Sequence, residues 1–270
     1  MISQDRQKFI NLYHSSWTSV HKLCSSLSEK EWRLETDCPG WSVKDCLSHL
    51  TGIEHRLLGR LVPKHIPTNL SNVRNELGMK NEIDVDIRRK SKPKDVLDEF
   101  EEVNKSRMEI LATQKNFNNK AISPVGEGTI YDLLSVRTFD CWVHEQDIRR
   151  AIGRHGNLTG IVADHAFSRM LEVMPYIVGK KARVEDGLEV SLKITGTIDR
   201  SIMLVMQNGR AVETQNSQKA DINLSMSPET FLRLCCGRIK PDEALLSSLV
   251  DLTGDQEVGL RIVRSMNYMI

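Results

Sequence analysis

The apolar residues of this chain change their period once, and that change constrains the fold more than any other feature. Up to about residue 152 they recur every three or four positions, the signature of amphipathic helices. In the second half they alternate over short runs, the signature of half-buried strands. Tyr13, Trp17, Val20, Cys24 and Leu27 mark one helix from about residue 4 to 27. The stretch CPGWS, Cys38 to Ser42, then breaks the chain, and Ser42 with Asp45 three residues later starts a new helix in the manner of a capping box. Val43, Cys46, Leu47, Leu50, Ile53, Leu57 and Leu61 carry that helix toward a stop near Pro63. Residues 63–92, with the basic run RRKSKPK, read mainly as a long excursion. Pro93 opens a third helix with Val96, Phe100, Val103, Ile110 and Leu111 on one face. A fourth runs from about Thr129 to Ile152, with Gly153 as its stop. Long helices with one long crossover predict a four-helix bundle.

Beyond Gly153 a helix over about residues 160–178 leads into LEVSLKITG and RSIMLVMQNGR. Asn208-Gly209 is a hairpin signal, with Ala211 to Thr214 as the return strand. ADINLSM alternates again, Ser227-Pro228-Glu229 opens a helix ending at Cys236-Gly237, and another helix starts near Pro241. VDLTG reads as a short strand before a last helix over about residues 254–268. The expectation is an α+β chain: a helical bundle over residues 1–155, then a smaller α+β domain with an antiparallel sheet over residues 156–270.

Composition excludes several classes of partner. A net charge of +1 leaves no electrostatic footprint for nucleic acid. No apolar run approaches the length of a membrane span, and MISQDRQKFINLYHSSW lacks a signal-peptide pattern. The six cysteines form no CxxC pair and are too sparse for a disulfide framework. These features predict a cytoplasmic protein with reduced thiols; a monomer or small homo-oligomer is expected.

The fourth helix carries an unusual stripe. Leu133, Arg137, Asp140, His144, Asp147 and Ala151 follow one another at spacings of three or four and so share one face. That stripe borders Val136, Val143 and Ile148, which should face the bundle interior. Burying a carboxylate and an imidazole there costs several kcal/mol unless they are paired or bound to a metal. An acid and a histidine at i, i+4 point the same way and can share one cation. The simpler alternative is a core pair in which Asp140 meets Arg137 and His144 is satisfied on its own. His49, on the margin of the second helix's apolar face, would complete a two-histidine, one-carboxylate set. Three protein ligands leave one position of a tetrahedral zinc ion open, as in catalytic zinc.

The combination CPGWSVKDCLSHLTGIE followed by RTFDCWVHEQDIRRAIG resembles the mycothiol-dependent maleylpyruvate isomerase family, within the DinB-like four-helix metal-binding superfamily. ADINLSMSPETFLRLCCGR is similar to that family's C-terminal domain, related in fold to sterol carrier proteins. The resemblance implies a zinc ion held by His49, Asp140 and His144. The family pattern has Glu at the acidic position where this chain has Asp140, one methylene shorter. It also implies mycothiol or a related small thiol as cosubstrate, and an isomerase or S-transferase reaction on a small anionic electrophile.

An anionic substrate calls for a cation. Arg238, in the CCGR turn of the second domain, is the expected carboxylate clamp, with a planar fork suited to the task. Arg137 is expected to pair with Asp140 or Asp147 and orient the ligand, and Asp147 to accept a hydrogen bond or act as an auxiliary ligand. Cys46 and Cys38 read as core and turn residues, Trp41 as a staple before the Ser42 cap, Trp142 as bundle packing, and His55 and His65 as exposed. Two other functions fit the same residues: a metal-containing binding protein whose C-terminal domain holds an apolar ligand, or a metal-dependent hydrolase.

Overall fold

Ser42 starts helix α2 (Val43–Leu57) with a reciprocal cap: its hydroxyl accepts from the Asp45 N–H, and the Asp45 carboxylate accepts from the Ser42 N–H at 2.9 Å. Thr129 and Asp132 repeat the arrangement at the start of α5 (Ile130–Ala151). A cap of this kind contributes about 1 kcal/mol to its helix. The structure is a computed structural model that describes residues 2–123, 126–215 and 219–269, with side chains from residue 5 onward. The chain divides into two compact units, Met1–Asn157 and Leu158–Ile270.

In the first unit α1 (Ile2–Cys24) packs on α5 and on α4 (Pro93–Thr113), while α2 packs on α4 and α5. Pro93 occupies the first turn of α4, where its missing N–H costs nothing. Tyr13, Trp17, Leu47, Leu50, Phe100, Leu134 and Ile148 fill the space between these helices. The bundle expected from the helical period is therefore present.

The excursion over residues 63–92 contains a helix that periodicity does not reveal, α3 (Glu76–Asp86). Its buried residues are Glu82, Asp84, Val85 and Asp86, so most of what it buries is charge. Arg89 reaches Glu82 and Asp86 at 2.7 Å each, His65 reaches Asp86 at 2.7 Å, and Arg56 pairs with Asp84. A helix held by ion pairs presents no apolar stripe to read. It also corrects the expectation for His65, which is half-buried and bonded to Asp86 rather than exposed; His55 is half-buried as well. A short hairpin, β1 (Lys120–Ser123) with β2 (Gly126–Thr129), precedes α5.

The second unit opens with α6 (Ile161–Tyr176), which continues into a π turn over Ile177–Lys181. Its sheet consists of β3 (Glu189–Ile194), β4 (Arg200–Gln207), β5 (Arg210–Glu213), β6 (Ile222–Met226) and β7 (Val250–Gly254), in the order β5-β4-β3-β6-β7. The pairs are antiparallel except β3 with β6, which run parallel. Alternation alone reports which face a residue takes and carries no information on strand direction. Asn208 and Gly209 both adopt positive φ, 53° and 70°, as a two-residue type I′ hairpin requires. Ile202, Leu204 and Met206 on β4 and Ile222, Leu224 and Met226 on β6 are the buried alternate positions. Helices α7 (Pro228–Cys235), α8 (Pro241–Leu246) and α9 (Gln256–Ser265) complete the unit, with Phe167 of α6 stacked on Phe231 of α7. The chain is thus α+β, as its change of period implies. No helix among the described residues is long and apolar enough to cross a membrane.

Candidate metal centre

Helices α2 and α5 bring His49, Asp140 and His144 together. His49 Nε2 lies 3.5 Å from Asp140 Oδ2, and His144 Nε2 lies 3.5 Å from Asp140 Oδ1. Their imidazole rings meet edge to face with centroids 4.8 Å apart. Both histidines are buried, whereas the Asp140 side chain keeps 15% of its surface, so the carboxylate is the exposed member of the three.

Asp140 and His144 are each held by a partner. Arg137, itself fully buried, donates from Nη1 to Asp140 Oδ2 and from Nε to Glu54 Oε1 at 2.6 Å. Glu54 also accepts from Arg107 of α4 at 3.2 Å. His144 Nδ1 is 3.1 Å from Asp147 Oδ2, which leaves Nε2 turned toward Asp140. Asp147 is further bonded by Arg150 and by the Cys38 thiol at 3.1 Å. The Trp41 ring covers both imidazoles, with centroids 5.0 Å from His49 and 5.9 Å from His144, and its Nε1 donates to Glu82 at 3.0 Å.

Burial pushes His49 down to about 4, against the opposing pull of Asp140, so its ring is neutral at pH 7. Burial acts the same way on His144, but the hydrogen bonds to Asp147 and Cys38 outweigh it and raise that group to about 10. Burial alone would raise the Asp140 carboxyl. The charge of the Arg137 guanidinium instead holds it well below the usual carboxylate range.

These residues fit a divalent ion. Two imidazole nitrogens 3.5 Å from one carboxylate are too far for good hydrogen bonds. The spacing of His144 Nε2 from Oδ1, the oxygen that Arg137 does not bind, is close to the edge between two ligands of one tetrahedral zinc ion, roughly 3.3 Å for nitrogen and oxygen donors. Asp140 meets Arg137 and His144 is satisfied by Asp147, as the simpler alternative has it, but His49 Nδ1 is buried with no hydrogen-bond partner among the described residues.

The structure places Arg137 and Asp147 beside the three donors, Arg137 on Asp140 and Asp147 on His144. Arg238 belongs to the second unit, just past Gly237 at positive φ, and its Nη1 donates to the Cys236 carbonyl at 2.8 Å. Trp142 is fully buried with Nε1 bonded to the Asn157 carbonyl, in keeping with a packing role. Two residues of the site escape sequence reasoning. Trp41 reads as a staple yet lies tilted against both histidine rings. Glu54 follows Leu47 and Leu50 at helical spacing, and a carboxylate inside that apolar stripe is the signal that would have found it.

Comparison with known proteins places this geometry in context. No curated protein sequence matches the chain. The crystal structure of the mycothiol-dependent maleylpyruvate isomerase shares its fold, with a TM-score of 0.56 at 12% identity over 92% of both chains. An alanine variant of that enzyme aligns at a TM-score of 0.54 over the same shares, again at 12% identity. Residues 179–267 match the SCP-2 sterol transfer family. Residues 13–149, just over half of the 270, match the mycothiol maleylpyruvate isomerase N-terminal domain, and the chain belongs to that family.

Proposed function

We propose that this protein is a zinc-dependent enzyme that uses mycothiol or a related small thiol to isomerise, or to transfer sulfur to, a small anionic electrophile. The observation that carries this reading is the convergence of His49, Asp140 and His144, whose donor atoms all lie within 4.8 Å of one another. Three protein ligands leave a fourth position for an exogenous one. A zinc ion there supplies one piece of chemistry, holding a thiol as its nucleophilic thiolate at neutral pH.

The chain's own residues do the rest. His49 offers an imidazole already neutral at pH 7, whereas His144, held up at about 10 by Asp147 and Cys38, would release its Nε2 proton when it binds the ion. Asp147 fixes the ring of His144 through Nδ1, so that Nε2 is the nitrogen presented to the ion. Arg137 binds one oxygen of Asp140 and leaves the other for coordination. Trp41 covers the imidazole faces and excludes water from that side. Thiolate addition to a cis double bond conjugated to a carbonyl, rotation about the resulting single bond, and elimination give the trans product. Retention of the adduct makes the reaction a transfer. Arg238 is assigned the substrate carboxylate on its chemistry; Arg238→Ala should raise KM for an anionic substrate and leave zinc content unchanged.

Titration of the cobalt-substituted protein with mycothiol tests the reading. A sulfur-to-cobalt absorption that grows in step with added thiol is expected. No growth with any cellular thiol would overturn the thiol chemistry, and activity on esters or amides without thiol would establish a hydrolase instead. The match of residues 179–267 to the SCP-2 family supports a second reading, in which that unit holds an apolar ligand. Lipid co-purifying with the full chain would favour it.

A further inference from the structure

His144 has two nitrogens, and the candidate centre uses only one. Its Nδ1 faces a different set of donors. Asp147 Oδ2 lies 3.1 Å from it and Cys38 Sγ 3.9 Å, while Cys38 Sγ and Asp147 Oδ2 are themselves 3.1 Å apart. Cys46 Sγ completes the group: the donor atoms of Cys38, Cys46, His144 and Asp147 all lie within 4.8 Å of one another, and all four residues are buried. Thr36 links the two cysteines, its hydroxyl accepting from the Cys38 N–H at 3.2 Å and lying 3.6 Å from Cys46 Sγ. The turn that delivers Cys38 depends on Gly40 at φ 77° and closes with the Trp41 N–H on the Cys38 carbonyl at 3.0 Å.

We propose that Cys38, Cys46, His144 through Nδ1, and Asp147 form a second, four-coordinate site for zinc or another thiophilic divalent ion, which shares His144 with the first centre. The edges of a tetrahedral zinc site with two sulfur, one nitrogen and one oxygen donor are roughly 3.3–3.8 Å. The three edges at Cys38, His144 and Asp147 bracket that range, and closing the widest separation takes a shift of about 1 Å. Two thiolates, the Asp147 carboxylate and a His144 ring that would bridge as imidazolate face the two positive charges of this ion, the Arg150 guanidinium already bonded to Asp147, and the first centre's ion on Nε2. On binding, the two thiol protons and the Nδ1 proton leave to solvent and the ion takes their place, with no change of oxidation state. Two sulfurs select a soft or borderline ion over magnesium or calcium. A site closed by four protein ligands has no vacancy for substrate, so this ion would fix the His144 ring and tune its other nitrogen.

This inference does not rest on the proposed thiol chemistry, and its test uses no added thiol. The full chain is loaded with cobalt(II) alone, and its absorption and metal content are measured. A sulfur-to-cobalt charge-transfer band and two ions per chain are expected before any thiol is present. His49→Ala should lose one ion and keep the band. Cys38→Ser combined with Cys46→Ser should lose the band and keep one ion. If the double variant does not fold, Cys46→Ala alone, with one sulfur in place of two, should about halve the band. Absence of the band in the wild-type chain, or its survival in the double variant, would overturn the proposal.

Discussion

Glu54 on α2 and Arg137 on α5 form an ion pair 2.6 Å long with both side chains 1% exposed, and Arg137 turns its other edge to Asp140. The pair ties the helix bearing His49 to the helix bearing His144, while Arg107 adds α4 to the same carboxylate. Removing one partner of a buried pair strands the other in a medium that solvates it poorly. Glu54→Ala leaves two buried guanidiniums without this acceptor and is expected to cost about 3–5 kcal/mol, read as a lower urea midpoint at unchanged slope. A loss below about 1 kcal/mol would mean that water reaches both arginines.

Asp140→Asn separates charge from shape at the candidate centre. The amide keeps an oxygen for Arg137 and nearly the same volume, but it offers no negative charge to an ion. Loss of an outer partner typically costs 10–100-fold in metal affinity, and loss of a ligand's charge should cost at least about 10-fold. Competition with a coloured chelator measures it directly, and unchanged affinity would remove Asp140 from the ligand set.

The bundle and the second unit's strands were legible because they rest on apolar burial, which leaves a period in the sequence. Tyr13 and Trp17 on α1 and Ile202, Leu204 and Met206 on β4 are of this kind. The histidine pair with its carboxylate was legible for a related reason, since Asp140 and His144 interrupt an apolar face one turn apart. What stayed hidden depends on polar pairings that leave no apolar period. Helix α3 buries Glu82, Asp84 and Asp86 against Arg89, Arg56 and His65, partners that lie outside it. The grouping of Cys38 with Cys46 and Asp147 depends on how the CPGW turn lies against α5, which no local spacing encodes.

Asp86 gives a pH dependence with a definite sign. Burial by itself would raise its carboxyl, but hydrogen bonds from His65, Arg89 and Thr68 outweigh that and hold it well below the usual carboxylate range. A depressed carboxyl contributes stability that is fully present above its ordinary value near 3.8 and is lost as pH falls toward the folded value. Unfolding measured against pH should show a gap between wild type and Asp86→Asn that narrows steadily below about pH 4. A gap that did not change with pH would show that the carboxylate's charge contributes nothing.

Gly52 of α2 lies directly against Asp84 of α3. A Cβ at this position would lie 2.3 Å from both Cβ and Cγ of Asp84, closer than side-chain atoms approach. Two effects oppose each other in Gly52→Ala. Alanine favours a helix interior by about 1 kcal/mol over glycine. Overpacking against a neighbouring element costs about 1–3 kcal/mol, and here the clashing atom sits next to the backbone, so rotation about χ1 cannot clear it. The second effect should win, and locally: α3 must lift away, loosening the contacts of Asp84 with Arg56 and of Asp86 with His65. Hydrogen exchange should therefore accelerate across Glu76–Asp86 in the variant while α5 remains protected. Unchanged exchange in that helix together with a higher melting temperature would show that propensity prevails and that α3 does not bear on α2 at this point.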